Sequence, residues 1–156
     1  MNRKRKSHRV GWPRWPTESD ACPCGSLLAY AACCRPLHAG ALPDSAVALM
    51  RSRYSAYVIG IESYLLANWH HSTRPPSVAP DPSLRWLGLE VRRQIETGPD
   101  TAIVEFVARY RLAGRGGRLH EVSRFVREAG RWYYRDGKFP ECGEPGAAPA
   151  GAAFSG

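Results

Sequence analysis

Four cysteines within thirteen residues constrain this chain more than any other feature. Cys22 and Cys24 flank Pro23, and after eight more residues Cys33 and Cys34 are adjacent, giving C-x-C-x8-C-C. A disulfide scaffold spreads its bridges along the chain, whereas so tight a cluster in a reducing compartment points to metal. Thiolate is a soft ligand suited to Zn²⁺. Four of them fill a tetrahedral shell at about 2.3 Å and leave no place for water, so the site reads as structural rather than catalytic. Gly25 permits a tight backbone beside the ion. Ser26 can cap a helical turn in the connecting segment. The competing readings are a redox pair, including a strained vicinal disulfide at Cys33-Cys34, and chance clustering. The fifth cysteine, Cys142, stands alone.

The formal charge of +8 invites a nucleic-acid reading, but it is unevenly placed. Arg3, Lys4, Arg5, Lys6, Arg9 and Arg14 fall in the first sixteen residues, which contain no acid. The rest of the chain is close to neutral, which argues against a wholly basic nucleic-acid-binding domain. This N-terminal tail is the one place where the sequence leaves room for nucleic acid, and its plainer reading is a solvated extension. No apolar run approaches the ~18 residues of a membrane span. No apolar leader core follows the basic start either, so a cytoplasmic protein is expected.

Residues 1–19, basic and proline-interrupted, read as a disordered tail, and residues 20–40 as the cysteine module. Residues 41–140 read as the folded body, and 141–156, mostly Gly, Ala, Pro and Ser, as a flexible tail. A helix is expected from Asp44 as cap, with Val47, Met50, Tyr54, Tyr57, Val58 and Ile61 on one face and Gly60 as stop or kink. A second, short helix carries Ile61, Tyr64, Leu65, Asn68 and Trp69. Pro75, Pro76, Pro80 and Pro82 exclude regular structure over 72–83.

From residue 84 the period becomes two. Leu87, Leu89, Val91 and Ile95 are expected to share one face of a first strand. Ala102, Val104, Phe106, Ala108, Tyr110 and Leu112 form the apolar face of a second, and 118–128 and 131–138 make two more. Helices followed by four antiparallel strands is an α+β layout with the sheet packed on the helices.

Cys22-Pro23-Cys24-Gly25-Ser26, Tyr30 and Cys33-Cys34 resemble the SEC-C motif, the small zinc module at the C-terminus of SecA, with Leu27 where that motif usually has glycine. Further stretches extend the match: Leu49-Met50-Arg51-Ser52-Arg53-Tyr54, Trp69-His70, Arg85-Trp86-Leu87-Gly88-Leu89, Ser123-Arg124-Phe125 and Trp132-Tyr133-Tyr134-Arg135-Asp136-Gly137. Together they resemble the YchJ-like family of SEC-C proteins over about residues 21–138. The resemblance implies a cystatin-like cone of the nuclear-transport-factor superfamily, with two or more helices on a curved four-stranded antiparallel sheet, preceded by the zinc module. Many such relatives end in a second SEC-C motif. Only Cys142 remains here, so one zinc ion is expected. In SecA the module contacts SecB and the ribosome, but matching ligands do not transfer that contact when the surface residues differ.

Cone folds often enclose a pocket. Candidates to line one are Arg53, Tyr54, Trp69, His70, Trp86, Glu121, Ser123 and Trp132. His70 oriented by Glu121 would make an acid–base pair. Against this, His70 can end a helix and Glu121 can pair with Arg124 or an arginine on a neighbouring strand. Arg51 and Arg53 suit an anion but equally a solvated flank, and the aromatics suit a core. Residues 118–128 have two mixed faces, so the sequence leaves open which one lines the interior. The expectation is a zinc-dependent protein-interaction or adaptor protein rather than an enzyme, its partner bound through the zinc module. The alternative is a small-molecule-binding or enzymatic cone with the module as accessory.

Overall fold

A computed structural model describes residues 15–78 and 81–140. Both expected tails fall largely outside this range, as does Cys142. The chain begins with the cysteine segment, in which a 3-10 turn (Tyr30–Ala32) leads into α1 (Cys34–His38). Next come α2 (Ala46–Ile59), α3 (Glu62–Ala67) and the strands β1 (Leu84–Gly98), β2 (Thr101–Leu112), β3 (Arg115–Glu128) and β4 (Arg131–Lys138). The strands form one antiparallel sheet in the order β1-β2-β3-β4.

The helix cap lies one residue beyond the expected Asp44. Ser45 Oγ accepts the amide of Ala48 at 3.1 Å, a contact worth about 1 kcal/mol. Gly60 ends α2 in the left-handed region at φ 95°, its amide bonded to Ala56 O at 2.7 Å. The single expected stripe on α2 understates its burial. Ala46, Leu49, Met50, Ser52, Arg53, Tyr54, Ser55, Ala56, Tyr57 and Ile59 are all buried. A helix buried nearly all round is held between two layers: the sheet covers one side, and the cysteine segment and α3 cover the other.

The last two hairpins close on Ala113-Gly114 and Ala129-Gly130, with all four residues at positive φ. That geometry matches the twist of paired strands, and it lets β3 begin at Arg115, earlier than expected. β1 departs most from the simple alternation. Its pairing with β2 shifts between Trp86 and Gly88, Val91 and Arg93, and Glu96 and Gly98. Each bulge re-aims the side chains that follow it. Leu87 and Ile95 therefore end up exposed, while Leu84 is buried.

On β3 the face carrying Leu119, Glu121, Ser123 and Phe125 is the inner one, each residue 1% exposed or less. Behind α3 the chain runs along β4: Tyr134 donates to Asn68 O at 2.9 Å and His70 donates to Tyr134 O at 2.7 Å. This parallel bridge covers part of a strand edge that would otherwise be open to pairing.

Candidate metal centre and the buried polar core

The cysteine segment folds as a small knuckle. Ala21 pairs with Ala29, Cys22 N–H bonds Leu28 O at 2.9 Å, and Gly25, at φ 78°, turns the chain back toward Cys22 O. Ser26 does not cap a helix. Its Oγ accepts the Leu28 amide at 3.2 Å and lies 3.1 Å from Cys33 Sγ.

The four sulfurs converge within 4.8 Å of one another. Cys24 and Cys33 are 3.6 Å apart and Cys33 and Cys34 are 3.9 Å apart. Sulfurs about 2.3 Å from a common tetrahedral ion lie roughly 3.8 Å from one another, so the donor set and its spacing fit a single ion. No disulfide joins Cys22, Cys24, Cys33 or Cys34. Without a cation the four groups cannot all ionise. Hydrogen bonds from Cys22 and Cys34 push the Cys24 thiol well down. Cys34 is pushed well up, first by its hydrogen bonds with Cys22 and Cys24 and then by burial, and Cys33 is raised by burial to about 11. A bound dication removes this conflict, because coordination deprotonates thiols outright.

The knuckle is fastened to the cone at the clustered cysteines themselves. Ser55 on α2 donates to Cys34 Sγ at 3.3 Å and lies 3.7 Å from Cys22 Sγ. Arg51 donates to Cys24 O at 2.9 Å, so Arg51 is neither a solvated flank nor an anion site. His38 links Tyr30 to α2: Tyr30 donates to Nδ1 at 2.6 Å and Nε2–H donates to Ser52 O at 2.8 Å. Burial lowers the His38 pKa, favouring the neutral ring that this arrangement needs.

Of the expected pocket residues, the structure brings Arg53, Trp69, Glu121 and Ser123 together. Arg53 is fully buried. It donates to Leu65 O at 2.9 Å and to Asn68 Oδ1, and its guanidinium lies 4.9 Å from the Trp69 ring and 4.5 Å from that of Tyr134. Glu121 Oε1 accepts from Tyr134 at 2.8 Å and Ser123 at 3.1 Å. Burial is the main reason its pKa rises to about 7. Tyr134 is the central residue sequence reasoning left among generic aromatics. Its alternation with Trp132 on β4 was the signal available.

The other candidates lie elsewhere. His70 does not meet Glu121; its Nε2 pairs with Glu128 at 2.7 Å and its Nδ1 with Ser72 at 2.6 Å. The candidate acid–base pair is therefore not formed, and neither is the pairing of Glu121 with Arg124, which pairs with Asp136. Tyr54 packs edge-on against Trp86 at 5.9 Å. Trp132 lies under Arg127, 5.1 Å from ring to guanidinium. Trp86 and Trp132 thus serve packing rather than a shared pocket.

A family model described as "YchJ, middle NTF2-like domain" matches residues 45–137, and the SEC-C motif matches residues 19–36. This chain belongs to the YchJ-like family. It is 60% identical over 119 residues to a UPF0225 protein of Methylibium petroleiphilum, covering 75% of this chain and 87% of that one. It is 55% identical over 123 residues to a UPF0225 protein of Xanthomonas oryzae, covering 77% and 95%. The solution structure of a SEC-C motif protein from Rhodopseudomonas palustris superposes with a TM-score of 0.68 at 32% identity, covering 78% of this YchJ-like chain and all of the other. A crystal structure of a SEC-C protein from Psychrobacter arcticus gives 0.66 at 25% identity, covering 87% and 91%. The α+β cone with an NTF2-like body is therefore the family fold. No helix among the described residues is long and apolar enough to cross a membrane.

Proposed function

We propose that this YchJ-like chain is a cytoplasmic interaction protein in which Cys22, Cys24, Cys33 and Cys34 hold one structural zinc ion and the zinc module is a rigid presenting surface. A reducing compartment keeps four thiols available for the metal. The observation that carries the reading is Leu27. It sits at φ 70° and is 95% exposed. A left-handed backbone costs a non-glycine residue about 1–2 kcal/mol, and an exposed leucine returns nothing to folding. Leu28 beside it is 53% exposed. The knuckle is fixed by the metal and by Ser55, so these leucines project from a rigid base. A partner that buries them would supply the compensation.

The test is affinity capture from native lysate with wild type, Cys22→Ser and Leu27→Asp in parallel. The reading expects the same partner to be lost from both variants while Leu27→Asp keeps its metal and its melting temperature. A partner set unchanged by Leu27→Asp contradicts it.

A second reading rests on the cone interior. Arg53 Nε and Nη2, Trp69 Nε1 and Glu121 Oε2 are buried without a hydrogen-bond partner, which favours a small polar guest. Against it, Arg53 and Glu121 are closed off from solvent, at 1% and 0% exposure. Bound-ligand mass spectrometry of the native chain decides: a stoichiometric organic guest supports this reading, and its absence removes it.

A further inference from the structure

We infer that the groove between the zinc knuckle and the outer face of the sheet binds an acidic protein segment carrying aliphatic side chains. The inference rests on the interaction reading above and names the chemistry of the partner.

The groove measures about 560 Å³ and has an aliphatic floor: Pro23 from the knuckle, Leu87 and Leu89 from β1, Val107 from β2. The knuckle forms one wall, with Gly25 so close that a Cβ there would stand 3.6 Å from Leu89 O. Leu27 and Leu28 follow two and three residues further along the knuckle. Leu87 reaches this surface because of the bulge between Trp86 and Gly88, and it is 52% exposed.

The rim is basic. Arg109 on β2 and Arg118 on β3 are directly opposite in the sheet register. Like charges facing each other across strands destabilise a sheet. Several other charges on the sheet are matched: Arg93 and His120 share Glu105, Arg124 pairs with Asp136, and Arg127 pairs with Asp100. Among the described residues neither Arg109 nor Arg118 has a carboxylate in ion-pairing distance. Glu90, also on the groove, lies against Arg92 at 3.6 Å. A second like-charged pair, Arg85 opposite Arg111, extends the basic strip along the same strands. Gly88 leaves room for the Arg109 guanidinium, since a Cβ there would approach Nη2 to 3.0 Å.

Unmatched guanidinium groups beside an aliphatic floor fit carboxylates alternating with apolar side chains. Guanidinium is the group suited to planar carboxylate recognition. A single-stranded nucleic acid would be expected to find aromatic rings for base stacking, and among the described residues no ring lines this groove.

The test titrates the full-length, metal-loaded chain, ¹⁵N-labelled, with three probes. One is a twelve-residue peptide alternating Glu and Leu, the second is its Gln-for-Glu counterpart, and the third is a twelve-nucleotide oligouridine. The inference expects the acidic peptide to bind and to shift the amides of Leu87, Leu89 and Val107, with the Gln peptide at least ten-fold weaker. Arg109→Gln/Arg118→Gln should weaken the acidic peptide ten-fold or more with an unchanged melting temperature, and Arg109→Glu/Arg118→Glu should abolish binding. Three results overturn it: no binding of the acidic peptide to wild type, binding undiminished in both double variants, or oligouridine displacing the peptide from these amides. A lysate partner that depends on Leu27 but not on Arg109 and Arg118 would leave the interaction reading standing and remove this groove as its site.

Discussion

Ser55, in the middle of α2, donates its hydroxyl to Cys34 Sγ across 3.3 Å, so the central helix of the cone supports a sulfur of the cysteine cluster proposed to hold zinc. Donors of this kind typically carry a 10–100-fold share of metal affinity. Ser55→Ala should therefore weaken zinc binding about ten-fold in a competition titration with a chromophoric chelator. Because the contact runs through α2, stripping the metal should lower the melting temperature of the whole chain in one transition. A body that melts unchanged after chelation would mean that the knuckle folds independently.

Gly137 is required by Glu121. A Cβ at position 137 would fall 1.8 Å from Glu121 Oε1. Gly137→Ala must therefore displace a buried carboxyl that holds Tyr134 and Ser123. We expect a loss of about 3 kcal/mol in urea unfolding, at the upper end for overpacking. A loss under about 0.5 kcal/mol, the range of an ordinary surface change, would show that the carboxyl lies elsewhere.

The raised pKa of Glu121 makes stability depend on pH. The folded chain holds this proton up to about pH 7, whereas the unfolded chain releases it near pH 4.5. The contribution is thus fully present below about pH 4.5 and is lost as pH rises through about 7, a difference of roughly 3 kcal/mol. Glu121→Gln should flatten the fall in stability between pH 5 and pH 8. Parallel pH profiles for wild type and variant would show that the carboxyl does not titrate in this window.

Much of this was legible from sequence because it depends on local pattern. The change of period at residue 84 gave the element order, and the cysteine spacing pointed to the four sulfurs that the fold brings within 4.8 Å of one another. What was not legible depends on register. The three bulges in β1 turn Leu87 and Ile95 outward, and no alternation pattern encodes a bulge. His70 finds Glu128 rather than Glu121 because the segment after α3 runs along β4, a contact between residues 58 positions apart. Arg53 and Glu121 come together only through Tyr134 on β4, whose ring lies under the guanidinium and whose hydroxyl donates to the carboxylate. That Arg109 faces Arg118 likewise follows from strand register alone.

Leu27 separates the demands of folding from those of binding. Leu27→Gly relieves the left-handed backbone, offset in part by the extra entropy glycine loses on folding. The net should be a gain of about 0.5–1 kcal/mol, read as a rise of a few degrees in melting temperature. Capture of the native partner should weaken at the same time. A less stable Leu27→Gly variant would indicate that the side chain is packed rather than presented.

Native mass spectrometry of the chain as purified without added metal tests most directly whether the four thiolates share one zinc ion. The predicted mass is the reduced chain plus one zinc, less the protons displaced from the thiols, with the zinc lost in Cys22→Ser. A metal-free mass, or one two hydrogens lighter from a disulfide, would contradict it.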